Sequence, residues 1–233
     1  MLLYEIEFVN FIFKNLTELK DSYQDLANTA ENSVDLNKPE HSKALLTWLY
    51  RWRNRQFPPD FHDELSDSLK KWYKENKGYL PENNKNIWEL DDSNYSQIVF
   101  PYNSLSRIVT PKKIRDGKYV KTSIGPIGTS KILYALRPKS MIPLDTSTRL
   151  NFNFDGSAHS YIKYLKLIKK IAIGLDKQCR LNGFCIQELP RKINRKNATI
   201  PALIDEYHWV TITKRCKIPD KNTLKRWFAW KEP

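Results

Sequence analysis

The side chain best placed to do chemistry in this chain is Asp145, within Pro143-Leu144-Asp145-Thr146-Ser147-Thr148-Arg149. A carboxylate can stabilise a developing cation beside it, or orient and deprotonate a water. Asp followed by Thr-Ser-Thr-Arg is also a good helix N-cap, worth about 0.5–2 kcal/mol, and the two roles are compatible. Seventeen residues earlier, Gly128 closes the run Ile124-Gly125-Pro126-Ile127-Gly128, which leads into Thr129, Ser130, Lys131 and the apolar stretch Ile132 to Leu136. Small residues in a turn before a helix expose backbone N–H groups and the positive end of the helix dipole. That suits a phosphate group and carries no base specificity. An ordinary tight turn between helices has the same composition.

Other chemistries lack their residues. The sequence has no GxxxxGK[ST], GxGxxG or HExxH pattern and no Cys–His pair that would suggest a thiol nucleophile. Cys179, Cys185 and Cys216 are odd in number, irregularly spaced and without flanking His. The expectation is therefore no disulfide frame, no metal, no iron–sulfur centre and no cofactor, in a reducing compartment. His41, His62, His159 and His208 are scattered and read as structural or exposed.

The elements that must position these groups read as helices. Leu3, Ile6, Phe8, Val9, Ile12 and Phe13, then Leu16, Leu19, Tyr23 and Leu26, recur at helical spacing over residues 2–33, as one helix or two. A polar break from Asn32 to Pro39 precedes a second helix with Ser42 as its N-cap. Leu45, Trp48, Leu49 and Trp52 form its apolar face, and Arg51, Arg53 and Arg55 line its end. Asp60 caps a third helix reaching about Lys77, with Phe61, Leu65, Leu69, Trp72 and Tyr73 inward. Residues 91–107 suit a helix interrupted at Pro101, and Asp116-Gly117 suits a turn. Ser157 to about Gln178 is the strongest helical pattern, with Tyr161, Tyr164, Leu165, Ile168, Ala172 and Leu175 inward and a lysine-rich outer face. A basic loop over 190–199 and two further helices, around 201–211 and 222–230, complete the chain; Leu224, Trp227, Phe228 and Trp230 anchor the last.

Charge divides unevenly along this scaffold. Residues 1–100 hold 12 basic and 17 acidic side chains, whereas residues 101–233 hold 27 and 9. A basic face of that kind addresses a polyanion, and nucleic acid is the commonest one. The first residues, MLLYEIEFVNFIFKNL, are apolar but carry Glu5 and Glu7 and no basic start. This argues against a signal peptide or membrane span and for the cytoplasm, with nucleoid association if the cell is prokaryotic.

The glycine turn and Asp145 together resemble the helix-hairpin-helix DNA glycosylase superfamily, the group of endonuclease III and the adenine glycosylases. Its signature is an L-P-G-V-G hairpin, a helix, and a V-D-T-H-V-x-R-like segment holding the catalytic aspartate. The match spans Thr122 to Arg149, 28 of 233 residues. The resemblance implies an all-α, two-lobed monomer that acts on double-stranded DNA and removes a damaged or modified base. Residues 1–110 would form mainly a scaffold lobe and 111–233 a basic lobe, with the hairpin motif at 122–137 and the aspartate segment at 143–149. Asp145 would stabilise the oxocarbenium-like transition state. Gly125, Ile127, Gly128, Thr129, Ser130, Lys131 and Arg149 would contact DNA, and Trp48, Trp52, Tyr207 and Trp209 are candidate walls for the extruded base.

The departures from that signature are specific. Gly125 stands where the superfamily usually has Pro, and Pro126 where it usually has the first Gly. Members with lyase activity place a Lys two residues after the second Gly; that position here is Ser130, with Lys131 next. Serine implies a monofunctional enzyme that only hydrolyses, whereas a one-residue shift would present Lys131 as an amine nucleophile. Two other classes stay open: a non-catalytic DNA-binding module on the same fold, and an RNA- or protein-binding helical domain.

Overall fold

The computed structural model describes residues 1–16, 22–30, 33–52, 54, 56–114 and 116–231, without the side chains of Leu16, Ser22, Gln24, Asp25, Lys113 and residues 228–231. The expectations for Leu16, Leu19, Asn32, Arg53, Arg55, Phe228 and Trp230 fall outside that set. The fold is all-α apart from one two-stranded hairpin. Its helices are α1 (Leu3–Leu16), α2 (Ser22–Thr29), α3 (Pro39–Arg51), α4 (His62–Asn76), α5 (Asp92–Ser106), α6 (Gly125–Leu136), α7 (Thr146–Asn151), α8 (Ala158–Leu181), α9 (Leu189–Lys192), α10 (Ile200–His208) and α11 (Lys221–Lys231). Strands β1 (Val109–Lys113) and β2 (Tyr119–Ser123) lie between α5 and α6. No described helix is long and apolar enough to cross a membrane.

Two helices carry the core. In α8 the six residues expected to face inward are all buried, and Ser157 caps the helix by accepting the Ser160 N–H. At about 1.5–3 kcal/mol for each large apolar side chain removed from water, that stripe fixes the helix against α5, α10 and α1. In α6 every residue from Gly128 to Leu136 is buried, so this helix is surrounded by protein on all sides over its last two turns. It packs between α3 and α5. Gly128 is required there: a Cβ at that position would lie 2.7 Å from Ile124 Cγ2 and 3.3 Å from Phe57 Cζ.

Several boundaries differ from the sequence reading. Helix α3 starts at Pro39, whose missing N–H costs nothing in a first turn. Ser42 is therefore inside the helix, buried, with its hydroxyl directed at the Leu36 carbonyl at 3.3 Å. Helix α4 begins at His62, after a 3-10 turn over Pro59–Phe61 that takes in Asp60. Helix α5 runs unbroken through Pro101. Burial of Tyr95, Ile98, Pro101, Tyr102 and Leu105 outweighs the lost hydrogen bond and ring clash, which cost about 3 kcal/mol in an isolated helix.

The largest correction concerns residues 109–124. The Asp116-Gly117 turn is present, with Gly117 at φ +85°. It joins two antiparallel strands in register Val109↔Ser123 to Lys113↔Tyr119, closed by the Ile114 N–H on the Lys118 carbonyl at 2.9 Å. A strand thus leads into α6, where the sequence offers only a turn, and residues 122–137 hold the single helix α6 after the end of β2. Gly125 takes φ +64° and opens α6 directly, so the expected glycine turn is the first turn of the helix itself.

Candidate active site at Lys131 and Asp145

Three elements converge on Asp145. It is the N-cap of α7, its Oδ1 accepting the Thr148 N–H at 2.6 Å. Its Oδ2 accepts the hydroxyl of Thr213 at 2.7 Å. Thr213 ends a single π turn, Trp209–Thr213, that continues α10. The wider turn carries this threonine to α7; such turns recur at functional sites because they redirect side chains within a helix. The third element is α6: Ser130 Oγ donates to the Ile127 carbonyl at 3.0 Å and accepts the Leu144 N–H at 3.0 Å. Ser130 thereby pins the residue before Asp145. The carboxylate is held from both sides in one orientation.

Lys131 lies one residue beyond that latch and is 8% exposed. Its Nζ is 4.4 Å from the centroid of the half-buried Trp52 ring and 3.5 Å from the Trp52 carbonyl. Burial pushes its pKa down to about 8, against the upward pull of Asp205 and Asp145. At neutral pH about a tenth of the side chain is then uncharged amine, far more than an ordinary lysine supplies.

Asp205, on α10, is coupled electrostatically to both groups. Burial drives its carboxyl well above the ordinary range, with Asp145 and Glu206 adding to the shift and Lys131 opposing it. It nevertheless keeps some accessible surface. One turn further, His208 Nδ1 is 3.0 Å from Tyr164 Oη, and the imidazole ring lies 5.3 Å from that of Phe152. Burial holds His208 at about 4, Asp145 working against it, so the ring is neutral. Helix α10 is locked by Arg195, whose guanidinium donates to both Glu206 oxygens at 2.9 and 2.6 Å from a nearly buried position. Environments that depress an amine and raise a neighbouring carboxyl are the usual arrangement for proton transfer at neutral pH.

The remaining sequence candidates divide. Trp52 is at the amine, and Trp48 lies behind it, 4.7 Å between centroids and 3% exposed, as part of the core. Tyr207 and Trp209 turn toward α1 instead: Tyr207 Oη is 3.5 Å from Glu5 Oε2, and the Trp209 ring is 5.9 Å from that of Phe13. Of the residues expected to contact DNA, Gly128, Thr129, Ser130 and Lys131 are buried, while Gly125 and Ile127 are partly exposed. Pro126, in the first turn of α6, is covered by the loop at Gly156, where a Cβ would lie 2.9 Å from the proline ring. Pro126 in this turn has no N–H of its own to offer and is packed against that loop. Arg149 donates to the Phe154 carbonyl at 3.0 Å, closing the loop after α7.

Four residues of the site escaped the sequence reading: Asp205, His208, Tyr164 and Thr213. The available signal was Asp205 and His208 at i and i+3, two ionisable groups on one face of a mostly apolar helix. Thr213 carried no signal, because its place depends on the π turn. No family model, curated protein or solved structure matches this chain.

Proposed function

We propose that the protein releases a base from DNA, with Lys131 as the attacking amine and Asp145 as the carboxylate that stabilises the sugar cation. The supporting observation is the buried, charge-depleted Lys131 amine against the Trp52 ring, close enough to Asp145 for its charge to be felt. In this reading the target nucleotide leaves the duplex stack and its base packs against Trp52. As the N-glycosidic bond breaks, the electron pair departs with the base and positive charge spreads over C1′ and the ring oxygen. Asp145, held by Thr148 and Thr213, faces that charge. The neutral Lys131 nitrogen bonds to C1′, the proton it sheds passes by way of a carboxylate to O4′ as the C1′–O4′ bond breaks, and the opened sugar is left as an iminium. Water then hydrolyses the iminium to the abasic aldehyde and restores the amine.

This reading revises the expectation of hydrolysis alone, which rested on Ser130 occupying the reactive position. Ser130 is engaged at both ends as a latch, and the amine at the next position lies at the Trp52 ring. The test is a panel of duplexes bearing different damaged or modified bases, assayed for abasic product, for strand breaks without alkali, and for covalent trapping by borohydride. Abasic product with a trapped complex that Lys131→Met abolishes is the expected result. Product without trapping would return Asp145 to the direct activation of water. Binding without product on any duplex would leave a DNA-binding module.

A further inference from the structure

The β1–β2 hairpin plays no part in the chemistry above, and its composition is unusual for this chain. Residues 109–123 contain Lys112, Lys113, Arg115, Lys118 and Lys121 against a single acid, Asp116. Residues 116–121 are exposed without interruption; Lys118 is 81% exposed, and Val109 and Val120 are 62% and 42% exposed. Lys112 stands opposite Val120 and Pro111 opposite Lys121. Adjacent cross-strand pairs point to opposite faces of a ribbon, so positive charge is presented on both. Lys112 and Lys121 have no acidic partner among the described residues.

The ribbon is nevertheless firmly mounted. At its base Gln56 Nε2 donates to the Ser123 carbonyl at 2.8 Å, and Thr110 Oγ1 donates to the Gln56 carbonyl at 2.5 Å. Farther out, Tyr119 packs edge-on against Phe61 at 4.9 Å and donates its hydroxyl to Asp60. Gln56 is four residues past Trp52, and β2 runs through Ile124 straight into α6, which carries Lys131. The fold thus attaches an exposed cationic ribbon to both chain segments that build the pocket.

We infer that this hairpin is a duplex-DNA contact, its Lys112, Lys118 and Lys121 lying on the sugar–phosphate backbone beside the nucleotide that enters the Lys131 pocket. The inference rests on reading the protein as a DNA enzyme. The contact is electrostatic and independent of sequence: each phosphate neutralised releases counterions and steepens the salt dependence of binding by about 0.9.

The experiment measures anisotropy of a short fluorescein-labelled duplex carrying one tetrahydrofuran abasic analogue, as a function of salt. The proteins compared are the wild type, the triple variant Lys112→Gln, Lys118→Gln, Lys121→Gln, the single reversal Lys118→Glu, and a control of equal charge change on the scaffold, Lys71→Gln, Lys74→Gln, Lys77→Gln. The expected result is a slope of log K against log salt shallower by about 2 to 3 in the hairpin triple variant, weaker binding by Lys118→Glu, and a control close to wild type. A triple-variant slope equal to wild type overturns the inference, as does an equal loss in the control, which would show a diffuse field. Hairpin-dependent binding that prefers single-stranded RNA also overturns it. A wild type that fails to bind the duplex at low salt overturns the DNA reading and the hairpin contact together. Hairpin-dependent duplex binding with no base released from any lesion sinks the excision chemistry and leaves this contact standing.

Discussion

The Thr213 hydroxyl donates to Asp145 Oδ2 at 2.7 Å across 68 residues of chain, while the opposite oxygen of the same carboxylate caps α7. The cap and the proposed catalytic role therefore use different oxygens, and a substitution can separate them.

Asn caps a helix about as well as Asp does. Asp145→Asn is expected to keep its thermal midpoint close to wild type while excision falls by about 10²-fold or more. Asp145→Ala is expected to lose both excision and about 1 kcal/mol of stability. Calorimetry with single-turnover excision assays distinguishes the two; an Asn variant that excises normally would remove Asp145 from the mechanism.

Lys131 supplies the second prediction. With its amine at about 8, the reactive neutral form increases as pH rises through that value. The single-turnover rate is expected to climb tenfold per pH unit below about 8 and to level above it. Because Asp205 pulls that pKa upward, Asp205→Asn is expected to shift the midpoint to lower pH. A flat profile between pH 6 and 9 would contradict an amine nucleophile.

Ser130→Ala would leave the Leu144 N–H without its acceptor in a buried position. The expected cost is about 1–3 kcal/mol, a fall of several degrees in thermal midpoint for a chain of this size. Excision should fall in kcat more than in KM, because the residue bonded to Asp145 loses its tether. Ser130→Thr, which keeps the hydroxyl, should recover part of both.

His208 makes the fold sensitive to acid. Its folded pKa of about 4 lies below the ordinary 6.5, so between those values the unfolded chain binds the extra proton. The stability that depends on a neutral ring is complete above pH 6.5 and is lost as pH falls toward 4, by about 3 kcal/mol. Urea midpoints measured across that window should fall steeply for the wild type and less steeply for His208→Gln. Parallel curves would show that other groups dominate acid unfolding.

Most of the helical scaffold was legible because its signals are local. The i, i+3, i+4 pattern from Tyr161 to Leu175, the caps at Ser157 and Asp145, and the Asp116-Gly117 turn all appear where the residue types require them. The strands β1 and β2 were not legible, since a ribbon solvated on both faces has no alternating apolar pattern. Pro101 misled because its penalty is local while the burial that offsets it is tertiary. Within the site, Asp145 and Lys131 could be read as candidates, but the functions of Ser130 and Lys131 could not be separated. Helical phase alone decides which of two adjacent residues faces the Leu144 amide and which faces Trp52. The contacts that Tyr207 and Trp209 make with α1 likewise depend on helical phase and not on residue type.

The packing of α6 sets the order in which this molecule can open. A helix buried from Gly128 to Leu136 is expected to exchange its amide hydrogens only when the most stable part of the fold opens. In the proposed reading the amine is mounted on this buried element, and the reaction begins when the incoming base packs against Trp52 at the half-exposed end of α3.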